Sequence, residues 1–411
     1  MTALTSPRTF AVETSCDETA VAVLAADGAI EVNLLSSQIA AHAPFGGVVP
    51  ELASREHLKA LPLLAHQALE QAGPVELVAV TAGPGLIGAL LVGVRFAAAF
   101  AWASGLPLAA VDHLDGHQVS PFLDLEGGPA RPIPDRVLSL VASGGHSSWY
   151  LSQAREQAGS SPAASPFVPK PERLCRTRDD AAGEAFDKVA QAIGLPYPGG
   201  PEVDRLARLG SPGRFELPRA RTRDGSGDLS FSGLKSAAIR IIRQHQLDTD
   251  PESDASCDFM VAFETAVVDQ LLAPLPALVA RHRPLLITAS GGVAANTALR
   301  ERLRALSDEL SVEVLLPPRA LTTDNAAMIA RAGQMACARG ELTDPRRLDA
   351  HARKAWQPPG MRRRGPAGVE PPAVTGYNVR GNARGSLRGA GVASDLGRER
   401  TEPGQSGRDD E

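Results

Sequence analysis

An α/β fold of two related lobes is the class this sequence predicts, and three observations carry it. Strand-like and helix-like stretches interleave along the chain instead of segregating. Three times a strand-like run leads into a glycine-bearing turn ahead of a helix or hairpin. The β-β-β-α-β-α-β order of the start returns in similar form in the second half, which predicts a cleft between two lobes.

Taken in order, Phe10-Ala-Val12 and Ala20-Val-Ala-Val-Leu24 read as short strands joined by the polar turn Glu13-Thr-Ser-Cys-Asp-Glu-Thr19, and Ile30-Glu-Val-Asn-Leu-Leu35 as a third. After Phe45-Gly-Gly-Val-Val-Pro50 an amphipathic helix is expected over about 51–71, with Pro50 in its first turn, where a missing N–H costs nothing, and Pro62 as a candidate kink. Val75 to Thr81 reads as a strand, Ala82-Gly-Pro-Gly-Leu-Ile-Gly88 as its turn, and about 89–104 as an apolar helix. Leu106 to Val111 is a short buried strand that runs into a helix, and the Pro/Gly/Asp-rich stretch from Leu123 to Asp135 looks like a lobe boundary.

The second half begins with the strand Arg136 to Ala142, the turn Ser143-Gly-Gly-His146 and a hairpin partner, Ser148 to Ser152. Residues 154–173 are expected to be an exposed loop, and Arg219 to Asp228 another. Helices are expected at about 181–193, 201–209, 232–245 and, unbroken, 254–282. Pro284 to Ala289 and Val312 to Leu316 read as strands, the first ending in Ser290-Gly-Gly-Val-Ala-Ala-Asn296 before a helix, and a last helix is expected at about 324–339. From Gln357 to Glu411 large apolar side chains almost vanish, so this tail is expected to be disordered; an RNA-contacting basic tail is the weaker alternative, given its acidic end.

Composition sets outer bounds. A chain of 411 residues with 43% hydrophobic, 22% charged and 4% aromatic residues suits a soluble globular protein with an aliphatic core. A net charge of -5 argues against a general nucleic-acid coat without excluding a local basic groove. Cys16, Cys175, Cys257 and Cys337 are widely spaced, which suits reduced thiols and a cytoplasmic location. Residues 1–9 show no signal-peptide pattern, and the apolar stretch from Gly85 to Leu106 reads as a buried helix, not a membrane span.

Several stretches carry chemistry. His113 and His117, spaced i,i+4 on a helix that follows a strand, fall on one face and could share a metal ion or be two solvated histidines. Asp324 is a helix N-cap or a third ligand completing a two-His-one-carboxylate set. Gly144-Gly145, Gly199-Gly200 and Gly291-Gly292 read as turns whose backbone N–H groups could approach a phosphate, and together they favour a nucleotide in the cleft. Neither a P-loop nor a dinucleotide fingerprint is present. Glu13, Asp17, Glu18 and Asp187 each read alone as solvated carboxylates. Leu114 stands where a His-Glu-x-x-His metalloprotease needs its glutamate, so that reading fails.

Ten blocks in family order resemble the universal tRNA threonylcarbamoyladenosine transferase family, bacterial type, once described as O-sialoglycoprotein endopeptidases. They are Glu13 to Thr19, His42-Ala-Pro-Phe-Gly-Gly-Val-Val-Pro-Glu-Leu-Ala-Ser-Arg-Glu-His57, Thr81 to Leu86, His113-x-x-x-His117, Ser143 to His146, Asp179 to Lys188, Tyr197 to Pro201, Phe231 to Lys235, Ser290 to Asn296 and Thr323 to Asn325, spanning about Phe10 to Trp356. The resemblance implies an actin/sugar-kinase/heat-shock-chaperone-like (ASKHA) fold, with one lobe over 1–122 joined by a returning helix at about 323–340, and the other over 136–322. It implies transfer of threonylcarbamoyl from threonylcarbamoyl-AMP to the exocyclic amine of the adenosine 3′ of the anticodon, in tRNAs reading codons that begin with A. It implies His113, His117 and Asp324 as metal ligands, with Fe(2+) the usual ion and Zn an alternative. Val141, Ala142, Ser143, Gly144, Gly145, Asp187, Gly200, Asp204 and Asn296 match its substrate-contacting positions; Asp17 and Glu18 are the candidates for a general base.

The implied partners are a non-catalytic paralogue subunit, a small P-loop ATPase, and a separate synthase supplying the adenylate, with no membrane. A non-catalytic nucleotide-binding paralogue is the alternative function, disfavoured by the intact His113, His117 and Asp324. Ala326 and Ser147 replace the commoner Gly and Thr, the loop over 154–173 is long for the family, and the tail has no counterpart. That tail is either a lineage extension or out-of-frame read-through.

Overall fold

The computed structural model describes residues 6–153, 171–219 and 227–352. The expected loop over 154–170, the interior of the one at 219–228, and the tail beyond 352 lie outside the described residues.

Two five-stranded sheets organise the chain. The first contains β1 (Thr9–Glu13), β2 (Glu18–Leu24), β3 (Ile30–Ser37), β4 (Leu77–Gly83) and β5 (Leu108–Asp112), in the order β3-β2-β1-β4-β5. The second contains β6 (Arg136–Ala142), β7 (Ser147–Gln153), β8 (Glu172–Arg176), β9 (Leu286–Ser290) and β10 (Glu313–Leu315), in the order β10-β9-β6-β7-β8. In each, the first three strands form an antiparallel meander, and the fourth and fifth add in parallel beside the first. The same order and the same directions occur twice. This duplicated arrangement is the ASKHA fold.

Each strand's alternation sorts its residues by face. In β1, Phe10 and Val12 pack toward α2 (Pro50–Ala72) and α3 (Ile87–Ser104), while Ala11 faces α11 (Ala326–Ala338) with Ala79 and Ala109. Small side chains on that second face let α11 approach closely: a Cβ on Gly333 would lie 2.5 Å from the Ala79 Cβ. Both faces are therefore covered, which is why the central strands read as continuous apolar runs. The helix α3 is long and apolar enough to cross a membrane; here it packs on α2 and β4.

The second sheet buries Leu138, Leu140, Trp149 and Ile287 against a layer that includes α5 (Ala182–Ile193), α6 (Gly199–Ala207), α7 (Ser232–His245), α8 (Asp254–Leu272) and α10 (Thr297–Leu310). Its other face meets the first half of the chain: Val141 and Tyr150 pack on Leu114, and Val137 and Leu286 on Phe122.

Four expectations need correction. The helix expected over 254–282 is two, because the chain breaks at Pro274, after which α9 (Leu275–His282) begins. The loop expected over 154–173 ends earlier, because residues 172–176 form β8; only Cys175 of that edge strand is buried, so no apolar signal marks it. Gly199-Gly200 does not follow a strand but opens α6. The last helix is capped by Asn325, whose side chain accepts from the Met328 N–H at 2.9 Å, so Asp324 is not the cap. A short helix, α1 (Ile39–His42), also precedes the expected turn at 45–50.

Candidate functional site

β5 ends at Asp112, whose carboxylate accepts from the Leu114 N–H at 3.0 Å and starts α4 (His113–Val119) at once. His113 thus stands in the first turn and His117 one turn on. Their ring centroids are 4.6 Å apart. Leu114 turns to the other side, into the second sheet, so the residue that departs from the protease motif is a core contact.

Asp324 arrives on the segment before α11. Its Oδ1 lies 3.4 Å from His113 Nε2 and 3.2 Å from His117 Nε2. The three ligand atoms fall within 4.8 Å of one another, forming the one group among the described residues able to hold a metal. Because Asn325 does the capping, Asp324 is released for this role.

The residues fit a cation. Both nitrogens of His117 are buried and make no hydrogen bond, although Nε2 is close to Asp324. An orphaned buried imidazole is costly unless something coordinates it. His113 is held differently: its Nδ1 lies 3.1 Å from Glu13 Oε2 and 3.2 Å from Ser15 Oγ, which leaves Nε2 facing Asp324. Glu13 is fully buried, and its other bonds come from the Ser15 N–H and the Thr81 hydroxyl, both at 2.5 Å. It is not the solvated carboxylate that the sequence suggested. A carboxylate behind a ligating histidine fixes tautomer and ring orientation.

Electrostatics point the same way. Burial opposes charge on His113, yet Asp324 and Glu13 on either side outweigh it and hold the imidazolium well above its usual range. Burial would raise Asp324, but His113 and His117 hold it far below the ordinary carboxylate range. A cation in the group would take the place of that proton. His146, after the Gly144-Gly145 turn, is pushed down to about 4 by burial and by the charges of His113 and His117.

The family model for tRNA N6-adenosine threonylcarbamoyltransferase matches residues 29–331 of this chain. A Pelobacter propionicus protein of that name is 43% identical over 339 residues, covering 82% of this chain and 94% of the relative. A Moorella thermoacetica relative of the same name is 45% identical over 332 residues, covering 79% and 90%. An Anaeromyxobacter dehalogenans relative is 44% identical over 355 residues, covering 85% and 99%. The chain belongs to the tRNA N6-adenosine threonylcarbamoyltransferase family.

The remaining positions that family resemblance implies are distributed as follows. Val141 and Ala142 are fully buried in β6, which pairs with β7 on one side and β9 on the other, so they support the turn that follows and are not themselves open to a ligand. Gly144, Gly145 and Gly200 border open space, whereas a Cβ on Gly291 would come within 2.3 Å of the Ala142 carbonyl. The glycines at 144, 145 and 200 thus leave room at the backbone; Gly291, at φ +88°, serves strand packing. Asp187 in α5 accepts from the Gly199 N–H at 2.8 Å, and burial pushes its carboxyl up. Asp17 accepts from the Tyr197 hydroxyl at 3.3 Å, across from the first lobe to the second. Glu18 accepts from Ser37 at 2.9 Å and is pushed up to about 7, chiefly by burial.

Asp204 accepts from the Thr297 N–H at 2.7 Å and the Thr297 hydroxyl at 3.1 Å. The Asn296 amide donates to Asp204 at 3.4 Å and to Glu264 at 2.5 Å, while its oxygen caps α10 by accepting from the Leu299 N–H. The sequence offered no signal for Glu264, which sits inside α8. Asp179 serves the fold: it accepts from Ser230, Phe231 and Ser232 and so ties the segment before α5 to the start of α7.

Burial pushes Glu264 up to about 7 against the Asn296 hydrogen bond, and the Asp204 charge adds to it. Its folded value is above the unfolded 4.5, so stability falls as pH rises from about 4.5 to about 7 and stays reduced above that. Glu264→Gln keeps the acceptor for Asn296. It is expected to stabilise the chain by ~1–3 kcal/mol at pH 8 and by little near pH 4.5. Denaturant midpoints at both pH values check this; an equal gain at both would refute it.

Proposed function

We propose that the chain transfers threonylcarbamoyl from threonylcarbamoyl-AMP to the exocyclic amine of the adenosine 3′ of the anticodon, in tRNAs reading codons that begin with A. The observation that carries it is the His113–His117–Asp324 group, with both histidines buried and Asp324 partly open, beside the open Gly144-Gly145 turn, in a member of this transferase family.

His113, His117 and Asp324 would hold a divalent cation, Fe(2+) by family resemblance, which supplies Lewis acidity toward the oxygens of the acyl phosphate. Gly144, Gly145 and Gly200 border open space, so the donor can approach their backbone without an intervening Cβ, while Val141, Ala142 and Ser143 form the strand end and turn that hold the first two in place. Asp187, Asp204 and Asn296, which match substrate-contacting positions of the family, would meet the nucleoside; Asn296 also holds Asp204 and Glu264 in place through its amide. The adenosine nitrogen attacks the carbamoyl carbon, the new C–N bond forms, and the C–O bond to AMP breaks with its electrons leaving on the phosphate. The amine proton passes to a carboxylate of the turn at Asp17 and Glu18. A carboxyl near 7 suits that task. Since the amine is a weak nucleophile, positioning carries much of the rate.

The reaction runs in the cytoplasm. A non-catalytic paralogue and a small P-loop ATPase complete the system, and a separate synthase supplies the adenylate. With a net charge of -5, the basic surface for tRNA is shared with those partners. A salt titration of tRNA binding, with and without the partners, should show a steeper slope for the complex.

The deciding assay combines the chain with its partners, threonine, bicarbonate, ATP and unmodified tRNA, and looks for the modified nucleoside. Absence of product with the intact chain, given active partners, rules the proposal out.

A further inference from the structure

The longest family block, His42 to His57, lies outside the metal group, and the structure shows what joins its ends. His42 and His57 are both fully buried, and Gln38 lies between them. The Val49 N–H donates to His42 Nδ1 at 3.3 Å, so His42 carries its proton on Nε2 and donates to Gln38 Oε1 at 3.1 Å. The Gln38 amide nitrogen donates to His57 Nδ1 at 3.2 Å, which also accepts from the Thr19 hydroxyl at 2.7 Å. His57 must then carry its proton on Nε2, and it donates to the Cys16 carbonyl at 3.0 Å. Gln38 holds the next carbonyl too, since its own N–H donates to that of Asp17 at 3.0 Å. The Val49 N–H and the Cys16 carbonyl fix the two tautomers and His42 fixes the Gln38 amide, whose NH2 shares the single Nδ1 lone pair of His57 with Thr19 and also faces the Ala53 carbonyl at 3.4 Å.

Each end of the chain touches the second lobe. At one end the loop over 43–49 carries Gly46 at φ +67°, where a Cβ would come within 2.8 Å of Gln191 Nε2 on α5. At the other, Asp17 accepts from Tyr197, just beyond α5. Ser15, in the same acidic turn, contacts His113.

We propose that His42, Gln38 and His57 form a positioning relay that ties the loop over 43–49 to the Cys16–Asp17 turn, so that the contact of that loop with α5 sets where Asp17 stands in the cleft. This rests on the transferase reading above and assigns no chemical step to the relay.

Two measurements test it. In 15N spectra of the full-length chain, both His42 and His57 should be neutral with the proton on Nε2. Either ring cationic, or protonated on Nδ1, overturns the relay whatever the reaction catalysed. The second is a double-mutant cycle in the complete assay, with intact chain as the active reference. Gln38→Leu should lower kcat roughly ten- to hundredfold, with KM for tRNA and bound metal little changed. Tyr197→Phe should lower kcat by itself but add little in the Gln38→Leu background, because Asp17 is already displaced. Full additivity, or an activity loss that merely follows lost folding or lost metal, overturns the proposal. If Gln38→Leu does not fold, the spectra of the unaltered chain still decide.

Discussion

Asp324→Asn should strip the chain of bound metal and lower transfer by about three orders of magnitude, the largest effect we expect from an isosteric change. The substitution preserves volume but removes the single anionic ligand of the group. His113 Nε2 and His117 Nε2 then face a neutral amide at the distances now occupied by Asp324 Oδ1, 3.4 and 3.2 Å. Metal analysis of the purified variant and the nucleoside assay check this together. His113→Ala/His117→Ala should give the same two losses. Chelation of the intact chain should abolish transfer, and a divalent ion added back should restore it. Full product from either variant, or activity indifferent to chelation, would sink the metal reading of this group.

Glu13→Gln is the second large effect, and its logic is tautomeric. Glu13 now receives three donors: the Ser15 N–H, the Thr81 hydroxyl and His113 Nδ1. An amide can accept on one side only. If its NH2 faces His113, that ring must accept at Nδ1 and move its proton to Nε2, the nitrogen that should bind metal. Loss of such a supporting carboxylate costs about 10- to 100-fold in metal affinity. Chelator competition should therefore show that shift in Kd, while saturating metal returns much of the activity. An unchanged Kd would show that Glu13 serves packing alone.

How much of this was legible depends on range. The His113–His117 pair was readable because one helical turn brings the two rings together wherever the helix lies. The role of Leu114 as a core residue agreed with the failed protease motif. Asp324 could be named from sequence but not separated from an N-cap; only the geometry of Asn325, one residue on, assigned the cap and freed the carboxylate. Glu13 was misjudged as solvated because a polar turn usually is, and nothing local reveals that Thr81 and His113 close over it. The missed β8 and the break at Pro274 have the opposite cause: a weakly buried edge strand gives little pattern, and a proline's effect depends on where the chain must turn.

The sequence by itself determined the duplicated α/β order, the helix that carries both histidines, and the family. These follow from periodicities of two and 3.6 residues and from local blocks, which need no knowledge of the distant chain. The tertiary structure alone decided which carboxylates meet those histidines. Glu13 and Asp324 come from opposite ends of the described chain, and they converge because β1 lies beside β4, β4 beside β5, and α11 packs on that sheet. The pair became a candidate metal group when topology supplied the third ligand and the buried carboxylate behind the first.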